Sequence, residues 1–160
     1  MFSIAALNAS MAALAGLVAA LRRGQGLSPL DLFRLREIVE FSFANVLLAV
    51  SVVPLATITG STETAARAVG MAAMVYLTVH MAILIRRQRL EQIVTYRSWA
   101  ALVIPLLVAA YLAALATVAS GAVGWLEVLL VVMLARPMTA FLFVLSMFGT
   151  SRVDGQDTTR

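Results

Sequence analysis

Residues 125–148, WLEVLLVVMLARPMTAFLFVLSMF, decide the fold class of this chain, because only Glu127 and Arg136 interrupt a continuous apolar run. A helix needs about 20 apolar residues to cross a hydrocarbon core roughly 30 Å thick. Transmembrane strands would instead alternate apolar and polar residues over segments of about ten. The stretch therefore predicts a transmembrane α-helix.

Four more stretches of this kind precede it. Together the five predicted spans cover residues 3–21, 38–58, 65–85, 99–120 and 125–148. The whole chain of 160 residues is 62% hydrophobic and 12% charged, against roughly 45–50% and about 25% in a soluble domain. We predict an all-α, polytopic transmembrane bundle in residues 1–150, followed by a short polar cytoplasmic tail in residues 151–160.

Turn chemistry separates the spans. Gly24-Gln25-Gly26 follows the first, and Ser28-Pro29 then reads as an N-cap and first helical residue, so that the second helix begins well before its span. The polar strings 59–63 and 120–124 predict tight turns on the outer side. Residues 86–91 continue in helical phase and are expected to extend the third helix beyond the membrane surface.

The arginine distribution predicts the orientation, because basic residues concentrate in short cytoplasmic loops. After five alternating crossings, one side holds Arg22, Arg23, Arg34, Arg36, Arg86, Arg87, Arg89, Arg97, Arg152 and Arg160. Only Arg67 falls on the opposite side. This pattern places the N-terminus outside and the C-terminus in the cytoplasm, with the first span retained as a signal anchor. Abundant Ala and the absence of Lys favour a bacterial protein of the inner membrane.

Several chemistries are not indicated by the sequence. The chain has no cysteine, and no span contains an H-x-x-x-H or E-x-x-H metal-binding pattern. It also lacks a G-x-S-x-G elbow and a phosphate-binding glycine loop with lysine. Catalysis, a cofactor and a metal are therefore not predicted. The net charge of +4 follows from topology and does not indicate a nucleic-acid partner.

Arg136 and Pro137 form the most informative polar position. Arg136 lies near the middle of the fifth predicted span, and an ionisable side chain at such a depth costs roughly 2.5–3.5 kcal/mol on insertion scales. Pro137 removes a backbone donor, which predicts a kink there. One interpretation is an anion-attracting or gating charge at a hinge. The other is an arginine that is hydrogen-bonded to freed carbonyls and to a neighbouring helix.

Four other polar residues extend this hypothesis. His80 has Tyr76 one turn earlier on the same helix face, and Glu40 and Asn45 lie in the second span. With Arg136, residues Glu40, Asn45 and His80 would form a polar track toward the cytoplasmic surface if their helices turn these faces together. The alternatives are an interfacial ion pair of Glu40 with Arg36 and a hydrogen-bonded packing role for His80.

At the outer edge, Arg67 and Glu127 fall at similar estimated depths and are expected to pair between the third and fifth helices. The polar track and the proline position favour a channel or transporter for an ion or small solute. Because five helices are few for a pore, we expect a homo-oligomer within the lipid bilayer. The alternative is a structural or regulatory subunit that binds a membrane-protein partner through an intramembrane charge.

Overall fold

The computed structural model describes residues 2–21, 29–91 and 97–150, and every regular element in these ranges is an α-helix. In chain order they are α1 (Phe2–Leu21), α2 (Pro29–Thr59), α3 (Thr62–Glu91), α4 (Arg97–Ser120) and α5 (Val123–Thr150). Each of the five predicted spans lies inside one of these helices. The predicted tail 151–160 and the Gly24-Gln25-Gly26 turn lie outside the described residues.

The start of α2 and the end of α3 agree with the sequence prediction. Helix α2 begins at Pro29, nine residues before the predicted span at 38, and α3 continues to Glu91. Each helix therefore carries extra turns beyond its most apolar stretch. The first of these extensions matters for the site, because it brings Glu37 into the helical bundle.

Four of the helices are long and apolar enough to cross a membrane, over the stretches Leu35–Thr59, Thr62–Ile83, Val103–Ser120 and Val123–Leu142. Helix α1 contributes a shorter apolar stretch, Ala5–Leu14, among the described residues. Large apolar side chains remain exposed on the bundle, including Phe43, Leu47 and Val75 at 62%, 62% and 64%. Lipid is the solvent in which such a surface is stable, and the chain is accordingly a helical membrane protein.

Helices α2, α3, α4 and α5 form a ring in which each packs against the next and α5 returns to α2. Helix α1 packs mainly on the outside of α2. The interior side of α5 is an apolar stripe at helical spacing, in which Leu126, Leu129, Leu130 and Met133 are almost fully buried. Helices α2 and α5 are in direct contact, so residues on their facing sides meet inside the ring.

Short turns join α2 to α3 at residues 60–61 and α4 to α5 at residues 121–122. Gly60 and Gly121 have φ angles of +66° and +69°, a backbone region that glycine enters without steric cost. Ser61 caps α3 by accepting a hydrogen bond from the Thr64 amide over 3.2 Å. Gly121 packs against Glu63, so both turns lie at one end of the bundle, which we call the turn end.

The two glycines provide a matched test of this packing. An Ala side chain at Gly121 would overlap Glu63 Cγ, whereas one at Gly60 would meet no atom within 4 Å. Both substitutions carry the left-handed backbone cost of about 1–2 kcal/mol. We therefore expect Gly121→Ala to lower the unfolding midpoint of the purified protein more than Gly60→Ala does. Equal losses would show that the turns do not pack closely.

Candidate functional site

Arg136 is buried at 3% exposure and its charge is balanced within the chain. Its Nη2 donates a hydrogen bond to Oε1 of Glu37, which is itself buried at 4% exposure. The bond joins α5 to α2. One interpretation of the sequence was an arginine bonded to freed carbonyls and to a neighbouring helix, and Glu37 supplies the bond to a neighbouring helix.

Glu37 was not among the candidate site residues predicted from sequence. It precedes the predicted second span, which begins at residue 38, but it is the third residue of the apolar stretch Leu35–Thr59 and faces the interior. The physical reason is helical phase. Arg36 points outward with 64% of its side chain exposed, and the next residue is rotated by about 100° into the bundle.

His80 on α3 completes a three-helix cluster. Its Nε2 lies 3.7 Å from Glu37 Oε1, and its side chain is 7% exposed. This separation is longer than a hydrogen bond, so the imidazole is a polar neighbour of the carboxylate. We refer to Glu37, His80 and Arg136 as the ionic cluster.

Phe41 packs against one side of the ionic cluster. Arg136 Cζ lies 4.4 Å from the centre of its ring, within the range of a cation–π interaction. The ring also meets His80 edge to face at 4.5 Å and Tyr76 edge to face at 5.6 Å. Phe41 therefore packs against the guanidinium, the imidazole and the Tyr76 ring at once.

Glu40 and Tyr76 lie next to the ionic cluster. The Glu40 carboxylate accepts a hydrogen bond from Arg36 Nε over 2.6 Å, so the predicted ion pair one turn apart is confirmed. Tyr76 Oη donates to the backbone carbonyl of Glu40 over 3.4 Å. The predicted polar track through the Glu40 side chain stays a prediction.

Asn45 lies two turns beyond Glu37 on the same face of α2 and is fully buried. Its Nδ2 donates to the carbonyl of Leu130 on α5 over 2.9 Å. This interhelical bond fixes the register of α2 against α5 about two helical turns from Glu37, toward the turn end. Interhelical hydrogen bonds of this kind in membrane bundles contribute about 0.6 kcal/mol on average.

Several buried polar atoms in this region have no hydrogen-bond partner within residues 2–21, 29–91 and 97–150, the part of the chain that the structure describes. They are Glu37 Oε2, Ser42 Oγ, Asn45 Oδ1, His80 Nε2, and Nε and Nη1 of Arg136. Each buried polar group without a partner costs about 1–3 kcal/mol. The ionic cluster consequently retains hydrogen-bonding capacity that the chain does not use, including two donors on Arg136.

Pro137 is fully buried beside Arg136, and α5 runs through it without interruption. The hydroxyl of Thr139 donates to the Arg136 carbonyl over 2.8 Å, so this part of the helix has an additional side-chain bond. The predicted kink at this position stays a prediction.

The predicted outer pair of Arg67 and Glu127 is wrong. Arg67 Nη2 instead donates to Glu63, one turn earlier on α3, over 2.7 Å, and both side chains are largely exposed. Glu127 is exposed on α5. Similar depth was not sufficient for pairing, because a carboxylate on the same helix face is closer to Arg67 than one on another helix.

The chemistry available to the ionic cluster is electrostatic. It offers a carboxylate and an imidazole next to a guanidinium. In the described ranges, no group of three or more His, Cys, Asp or Glu side chains is placed to hold a metal ion.

The fold and the cluster define a class, namely a helical membrane protein with a buried ionic cluster between three of its helices. No protein-family model, curated protein or solved structure matches the chain.

Proposed function

We propose that the chain is a transporter or channel for an ion or small solute, and that the ionic cluster of Glu37, His80 and Arg136 is its working site. The meeting of these side chains from α2, α3 and α5 carries the proposal. Ionisable residues within membrane helices are costly and mark ion pathways or proton relays by default. The unpartnered donors of Arg136 add to this argument.

The same contacts weigh against the alternative of a regulatory or structural subunit. In that hypothesis Arg136 or Glu40 would bind a charge on a partner's helix. Arg136 is instead bonded to Glu37 inside the chain, and Glu40 is bonded to Arg36. Neither charge needs a partner chain to balance it.

We propose separately that the chain forms a homo-oligomer. Because all three cluster residues come from one chain, the site needs no second copy to be complete. We propose that copies associate through their apolar outer surfaces and that each contains its own site. Native mass spectrometry from detergent or nanodiscs would measure the number of copies.

We also propose five membrane crossings in a bacterial inner membrane, with the N-terminus outside and the C-terminus in the cytoplasm. The arginine bias supports this orientation. The chain has no cysteine, so single cysteines introduced at Gly60 and at Gln25 can be labelled in intact cells with an impermeant maleimide. We expect labelling at position 60 and none at position 25. The reverse pattern would invert the proposed topology, and labelling at both positions would show that α2, which lies between them, does not cross the membrane.

Flux through proteoliposomes tests the proposed function. Chloride, potassium and protons would be measured in turn for the wild type, Arg136→Lys and Glu63→Gln. We expect the wild type and Glu63→Gln to conduct equally, since Glu63 pairs in the exposed region at the turn end. Arg136→Lys should change the rate or selectivity, because an ammonium cannot reproduce the planar donors beside Phe41. Absence of flux for every ion in a monodisperse sample would contradict an ion pathway.

A further inference from the structure

We infer that the ionic cluster binds one small monovalent anion together with one proton, with His80 as the proton acceptor and Arg136 as the anion ligand. The inference rests on the proposed function for its meaning in transport, but binding itself can be measured independently. It assigns a substrate class, halide-like anions, to the site.

The balance of buried charges in the cluster favours an anion that enters with a proton. Glu37 and Arg136 carry opposite charges and are bonded, so with a neutral His80 the buried cluster has no net charge. A proton on His80 would leave one positive charge in a site where all three side chains are buried. An uncompensated charge in such surroundings is strongly unfavourable. An anion that enters with the proton restores neutrality.

Unused hydrogen-bond donors of Arg136 favour an anion. Arg136 uses only Nη2 toward Glu37, while its Nε and Nη1 are buried without partners among the residues that the structure describes. Within the same described part of the chain, His80 Nε2 is likewise without a hydrogen-bond partner. Phe41 packs against the guanidinium, and an anion would bind where the unused N–H groups lie. Such donors suit halides, which accept several N–H bonds and need no defined direction.

Charged and polar side chains from neighbouring helices surround His80. Helix α2 brings Glu37, and also Glu40 through its contact with Tyr76, while α5 brings Arg136. Tyr76 lies on the same helix as His80, with ring centres 5.7 Å apart. Residues 2–21 of α1 and 103–120 of α4 contain no charged side chain. Glu37 and Arg136 are therefore the charged side chains of the described residues that lie in the cluster with His80.

Glu37 lies near the end of the α2 span that is opposite the turn end. It is the third residue of the apolar stretch Leu35–Thr59 and directly follows Arg36, whose side chain is 64% exposed.

Bromide titration of the purified protein in nanodiscs, by calorimetry at several pH values with gluconate as the replacement anion, tests the inference. Where the imidazole is mostly neutral, the dissociation constant should rise about tenfold per pH unit, because one proton is linked to binding. In weakly buffered solution about one proton should be taken up per bromide. Proton uptake is measured on the wild type, so it does not depend on the folding of a variant.

His80→Gln keeps a hydrogen-bonding side chain that does not titrate, and should bind bromide weakly and without pH dependence. Glu63→Gln is the matched control and should behave as the wild type. Binding of bromide that is independent of pH in the wild type, or no binding at any pH, would overturn the inference. Proton-linked binding without flux would contradict only the transport proposal, and flux without proton-linked binding would contradict only this inference.

Discussion

Replacing Glu37 by Gln is expected to lower the free energy of unfolding by about 3–5 kcal/mol, the usual cost of removing one partner of a buried ion pair. Glutamine is nearly the same size and still offers an oxygen to Arg136, so packing is preserved. The charge of Arg136, however, would be left uncompensated at 3% exposure. The loss should appear in equilibrium unfolding of the purified protein in mixed micelles.

Glu63→Gln is the matched control for this result. It also removes the carboxylate of a glutamate–arginine pair, but both side chains are exposed, at 60% for Glu63 and 46% for Arg67. Exposed pairs contribute about 0–1 kcal/mol. If the two substitutions proved equally mild, Glu37 and Arg136 would not form a buried ion pair. If both were severe, the turn end would contribute more to stability than its exposure indicates.

The helices were predictable from sequence because a long apolar stretch in lipid must satisfy its backbone hydrogen bonds within itself, and an α-helix does so. Residues 125–148 contain two charges, and neither prevents α5 from forming over Val123–Thr150. Gly60 and Gly121 sit in the predicted turns and have the positive φ angles that a chain reversal requires. Arg136 was also identified correctly as a position of interest, since burial of an arginine in an apolar span is costly wherever it packs.

The partner of Arg136 was not predicted, because depth along a helix says nothing about the direction in which a residue faces. The charged residues Arg36, Glu37 and Glu40 follow one another closely near the start of the apolar stretch of α2. At 100° per residue, Arg36 and Glu40 share a face, while Glu37 belongs to the face of Phe41 and Asn45. That separation was available in the sequence. Which of the two faces packs against α5 depends on tertiary contacts.

Replacing both members of the buried pair, as Glu37→Leu with Arg136→Met, is expected to return most of the stability lost in Glu37→Gln. Apolar residues of similar volume in place of a buried ion pair are often neutral or stabilising by about 1–4 kcal/mol. The unpartnered atoms Glu37 Oε2 and Arg136 Nε and Nη1 would also be removed. Equilibrium unfolding compares the double variant with the wild type and with each single variant.

The same double variant is expected to lose proteoliposome flux completely while remaining folded, because no charge would remain beside His80 on α2 or α5 within the cluster. This combination separates a structural role from a functional one. A pair kept only for stability would be replaced without loss of flux, since the apolar pair fills the same space. Retained flux in a folded double variant would therefore remove the ionic cluster from the pathway, whereas stable protein without flux would show that the costly pair serves transport.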